Sequence, residues 1–187
     1  MSSKEQFVDL VREGILSLAQ DMKSMLRVVE DPDIDDESRV EASGALLHVL
    51  SASNAIPGLR GKLAYVDDVL VLRLILERIR KRSPEAMARH AEEAPDLVGA
   101  LDEQLGVVRA YLGDLMAPLE KAVDGVSKLN HQGHTAAECA HDTDACTWLY
   151  DSVQEAIVDM DFDEDEIARL AKQVDEILPP LRLKARA

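Results

Sequence analysis

The sequence predicts an all-α protein, an irregular bundle of about six or seven helices, and three observations carry that reading. Apolar residues recur at spacings of three and four along most of the chain, the signature of one-sided helices. Long stretches lack Gly and Pro, and no stretch alternates apolar and polar residues as a half-buried strand would. Aromatic residues make up only 3% of the chain, so the core must be built from Leu, Val, Ile, Ala and Met, mostly good helix formers.

Phe7, Leu10, Val11, Ile15, Leu18, Met22, Met25 and Leu26 mark one face of a long first helix. Pro32 within the acidic run from Glu30 to Asp36 ends it. Asp35 or Asp36 then caps a second helix, from about Glu37 to Ser51. A turn over Ser53–Gly58 leads to a third, from about Gly61 to Arg82, whose closing Arg78-Ile79-Arg80-Lys81-Arg82 complements the helix dipole. Ser83-Pro84 opens another as cap and first residue. Leu97 to about Leu129 reads as one long amphipathic run, with a kink expected at Pro118. Residues 130–147 read as a polar connection, after which helical spacing returns through Trp148, Val153 and Ile157. Asp163 with Glu166 starts a last helix that ends before Pro179-Pro180.

At 187 residues the chain is long enough for a substantial core. It is read as a single helical domain, 1–187, in three parts. N-terminal helices occupy 1–82, with a hairpin at about 37–82; long amphipathic helices occupy 83–129; an acidic segment and the C-terminal helices occupy 130–187. The formal net charge of -15 argues against nucleic acid, whose phosphates demand clustered Lys and Arg, and against anionic membrane surfaces. From Leu129 to Ala168 there is no Lys or Arg against eleven Asp and Glu; the expected partner is basic or another protein, a second copy of the chain included. No signal pattern precedes the first helix, and the two cysteines fit a reducing compartment, so a cytoplasmic location is expected.

Ser51-Ala52-Ser53-Asn54-Ala55-Ile56-Pro57-Gly58, followed by Tyr65-Val66-Asp67-Asp68, resembles the signature of the YkvA-like family, a bacterial domain of unknown function. That signature is a helix ending Ser-Pro-x-Asp-x-Ile-Pro-Asp, then Tyr-x-Asp-Asp opening an apolar helix. Ser51, Ile56, Pro57, Tyr65, Asp67 and Asp68 match, while Ala52, Asn54 and Gly58 depart from it. The resemblance covers about residues 42–76 and implies a helical hairpin.

Two constellations could carry chemistry. Between Leu63 and Leu76 the only charged residues are Asp67, Asp68 and Arg73, and carboxylates among Val, Leu and Ile need a partner, a helix N-terminus or a cation. Asp67 and Asp68, with Asn54, form a paired-carboxylate candidate for a cation or a basic group. Their structural alternative is dipole complementation plus hydrogen bonds from backbone or Lys62. The second constellation is His131, His134, Cys139, His141 and Cys146, three of five His and both Cys within sixteen residues. Imidazole and thiolate suit zinc or iron, and four of these five would close a tetrahedral site.

Enzyme motifs are poorly supported. Glu138-x-x-His141 is half of a di-iron motif with no second half, and His141-Asp142 lacks suitably spaced His partners for a metal phosphohydrolase. The Asp159-x-Asp161-x-Asp163-x-Asp165 run has Glu164 where a calcium loop needs Gly and Leu170 where it needs Glu. The expectation is a non-catalytic helical interaction or scaffold protein. The alternative is a metal-binding protein or metal-dependent hydrolase centred on residues 131–146, with zinc or iron.

Overall fold

The computed structural model describes residues Met1–Ala187, and side-chain caps mark where α1 and four later helices begin. Ser2 and Glu5 form a capping box at the start of α1 (Ser3–Leu16). The expected long first helix breaks at Ser17, whose hydroxyl donates to the Gly14 carbonyl and to Asp21 and so competes with the backbone ladder. Beyond it runs α2 (Leu18–Glu30). Asp35 accepts from the Ser38 N–H and caps α3 (Asp36–Leu50).

After the turn, a 3-10 segment at Gly61–Leu63 leads into α4 (Ala64–Arg82), which ends in its basic cluster. The turn itself needs left-handed backbone at Ala52 (φ +51), Gly58 (φ +82) and Gly61 (φ +57). Proline, with φ near −65°, cannot occupy that conformation. Position 52 therefore excludes proline in this turn.

Proline opens α5 (Pro84–Glu93), but Ser83 does not cap it; its hydroxyl donates to Asp35 at the start of α3 instead. A π-turn at Pro95–Gly99 precedes α6 (Leu101–Leu112), and Gly113 at φ +53 ends that helix. The expected kink at Pro118 is thus a break five residues earlier. Pro118 sits in the first turn of α7 (Met116–Val123), where it lacks no needed hydrogen bond.

Residues 130–147 are ordered rather than an open connection. β1 (Asn130–His131) and β2 (His134–Thr135) pair through a turn with positive φ at Gln132 and Gly133. Thr135 and Glu138 form a capping box for α8 (Ala136–His141), and Asp142 caps α9 (Thr143–Val158). Asp163 caps α10 (Glu164–Ala171). Pro179 and Pro180 do not stop a helix but lie in the first turn of α11 (Leu178–Arg186), where proline is tolerated. The all-helical class is as expected, but there are eleven helices rather than six or seven, because of the breaks at Ser17 and Gly113 and the short helices α8 and α11.

Two helices form the centre. Residues 41–49 of α3 and 66–76 of α4 are buried without interruption, so these helices are covered on every side by α1, α2, α6, α8 and the 3-10 turn at Val126–Lys128. Gly44 allows that turn to approach: a Cβ there would stand 2.2 Å from the Val126 carbonyl oxygen. One apolar cluster of 50 buried residues runs from Phe7 to Leu181. No helix is long and apolar enough to cross a membrane.

Candidate functional site

At the turn end of the α3–α4 hairpin three ionisable side chains meet inside the apolar core. His48 comes from the last turn of α3, Asp67 and Asp68 from the first turns of α4. The apolar faces that pair the two helices force this meeting, because Leu46, Leu47, Val69 and Leu70 are all fully buried on either side. His48 is 4%, Asp67 0% and Asp68 6% exposed.

The three are not equivalent. Asp67 Oδ2 lies 2.5 Å from His48 Nε2, and Asp67 Oδ1 accepts the Ile56 backbone N–H at 2.8 Å. Asp67 thus fastens both α3 and the intervening turn to α4. Asp68 has no such support: it accepts no hydrogen bond, and its nearest charged partner is His48 Nε2, at 3.7 Å from Oδ1. Burial, and then the charge of Asp67, push the Asp68 carboxyl up to about 8. Near neutrality Asp68 therefore holds a proton unless a cation replaces it. Close by, burial and then the charge of Asp68 raise the Tyr65 phenol, whose ring packs edge-on against Phe162 at 5.0 Å.

His48, Asp67 and Asp68 each offer a ligand atom, and these atoms all lie within 4.8 Å of one another. One imidazole nitrogen and two carboxylate oxygens are a donor set for a divalent first-row ion. Such an ion would draw the three ligands together and displace the proton on Asp68.

The sequence-predicted residues distribute as follows. Asp67 and Asp68 are in the site. Asn54 is exposed on the turn and takes no part in their hydrogen bonding. Lys62 does not serve Asp67 or Asp68 either; its ammonium pairs with Glu166 at 2.7 Å.

Of the second constellation, no three residues bring ligand atoms within 4.8 Å of one another. His134 stacks on Trp148 with centroids 4.1 Å apart, and His131 lies tilted against the same ring at 6.2 Å. His141 is exposed at the end of α8. Cys139 is fully buried, and Cys146 donates its thiol hydrogen to the Cys139 carbonyl at 2.9 Å. Burial raises both thiols, Cys139 to about 11, which opposes the thiolate form a metal requires.

His48 was missed by the sequence reading. Its signal is nevertheless present: it is the one ionisable residue in Ala42–Leu50, an otherwise apolar or small stretch facing the acidic pair across a short turn. Comparison with protein-family models, with curated proteins and with solved structures finds no match to this chain.

Proposed function

We propose that the chain is a non-catalytic helical metal-binding protein in which His48, Asp67 and Asp68 hold one divalent first-row ion, zinc or iron. The observation that carries this reading is Asp68, whose side chain is only 9% exposed and accepts no hydrogen bond from the protein, beside ligand atoms of His48 and Asp67. A buried carboxylate charge is costly, so the carboxyl keeps its proton unless a cation takes that place, and a cation there uses the His48 and Asp67 atoms already beside it.

Depth speaks for an ion that is structural or sensory rather than catalytic. The larger surface cavities are lined by other residues, whereas a catalytic ion needs an open position next to a substrate-sized space. The ion would tie the end of α3 to the start of α4, in the segment that resembles the YkvA-like hairpin.

X-ray absorption at the metal edge tests the ligand set. A shell of nitrogen and oxygen without sulfur, lost in Asp68→Asn, is the expected result. A sulfur contribution at about 2.3 Å would move the site to Cys139 and Cys146 and overturn the assignment.

A second reading, protein interaction through the acidic C-terminal third, draws on Tyr150 and Val158. These α9 side chains are 46% and 77% exposed in a window without Lys or Arg. Light scattering tests self-association through that face: a dimer that Val158→Glu dissociates supports it, and a monomer at high concentration removes it.

A further inference from the structure

A second polar site lies on the opposite side of α4, in a cavity of about 570 Å³ between α1, α6 and the Pro95–Gly99 turn. Its floor is Arg73, which is only 3% exposed. The guanidinium is partly satisfied: Nε donates to Gln104 Oε1 at 2.9 Å and Nη1 to the Val69 carbonyl at 3.1 Å. Its counter-charge, the buried Asp21, pairs with it at 3.5 Å from Nη1.

Nη2 donates to no protein acceptor. It lies beside Gly14 in the cavity wall, where a Cβ would come within 3.4 Å of it and within 2.6 Å of Val69. A glycine at this place lets α1 pack close to α4 and puts no side chain of its own against the guanidinium edge.

The mouth has the opposite sign. Asp9 and Glu13 of α1, Asp96 of the turn and Glu103 of α6 surround the cavity. Arg12 pairs loosely with the first two, at 3.7 and 3.3 Å, while Asp96 and Glu103 have no ion pair.

We propose that this cavity binds a small zwitterion, an amino acid carrying one carboxylate and at least one ammonium group. The carboxylate accepts from Arg73 Nη2 at the floor, and the ammonium groups lie among the carboxylates of the mouth. A polyanion such as a nucleotide is repelled by Asp96 and Glu103, which carry no ion pair, while Asp21 behind Arg73 already offsets the guanidinium charge. A diamine satisfies the mouth but leaves Nη2 without an acceptor. The volume falls within the range of small-molecule pockets, so an amino acid fits with room for a side chain.

Titration calorimetry with L-lysine tests the proposal, with putrescine and glutarate as controls that each lack one of its charges. The expected result is saturable binding of L-lysine, at least tenfold tighter than either control. Glu103→Gln and Asp96→Asn, both surface changes that leave the core untouched, are each expected to weaken it severalfold. Absence of saturable L-lysine binding at millimolar concentration would overturn the proposal, as would binding no tighter than putrescine or insensitive to both variants. Metal at His48 bears on none of these outcomes.

Discussion

His48 Nε2 and Asp67 Oδ2 meet at 2.5 Å across the α3–α4 hairpin, where Asp67 is fully buried and His48 nearly so. The contact joins the last turn of one central helix to the first turn of the other, and through the Ile56 N–H it also holds the turn between them. Asp68, one residue further on, shares the burial without the partners, and that asymmetry is the ground for the proposed cation site.

His48→Ala leaves Asp67 buried with only the Ile56 N–H, and breaking a buried pair from one side typically costs about 3–5 kcal/mol. Urea unfolding of the metal-free protein is expected to show a loss of this order with an unchanged slope. A change under about 1 kcal/mol would mean that water replaces the imidazole and that the pair is not closed to solvent.

The sign of the pH dependence follows from Asp68. Its carboxyl is raised from 3.8 to about 8 on folding, so between those values the folded chain holds a proton that the unfolded chain has released. The stability it contributes is complete below pH 4, falls as pH rises, and is gone above pH 8. Asp68→Asn removes this dependence, so in the absence of metal the variant should melt higher than the parent at pH 8. The gap should reach about 5 °C or more and shrink towards pH 4. Parallel melting curves across that range would contradict the burial of Asp68.

Gly44→Ala would ordinarily favour a helix by up to about 1 kcal/mol. Here the added methyl stands 2.2 Å from the Val126 carbonyl, a backbone atom that cannot swing aside. The expected outcome is destabilisation by about 1–3 kcal/mol, read from chemical denaturation, with the 3-10 turn at Val126–Lys128 displaced from α3.

The central helices were legible because their signals are local. The Asp35 cap, the basic end of α4 and the apolar run between Leu63 and Leu76 all lie in the sequence as the structure uses them. The breaks at Ser17 and Gly113 were not, since apolar periodicity runs through both; a hydroxyl that turns inward and a single positive φ end those helices. Proline misled in the same way at Pro118 and Pro180: each was expected to kink or stop a helix, and each lies in the first turn of one, where it is tolerated. At the site, Asp67 and Asp68 stood out as charges in an apolar run, whereas His48 joins them only through the register of α3 against α4. The His and Cys residues of 131–146 are close in sequence, but the β1–β2 hairpin turns two imidazoles onto Trp148 and α8 buries Cys139.

The most direct test of the metal assignment is titration of chelator-treated protein with zinc and with iron(II), comparing the parent with Asp68→Asn and with a Cys139→Ala/His141→Ala double variant. One ion per chain is expected in the parent and in the double variant, binding more tightly as pH rises because protons are displaced, and none in Asp68→Asn. Undiminished stoichiometric binding in Asp68→Asn, or no binding by the folded parent, would contradict it.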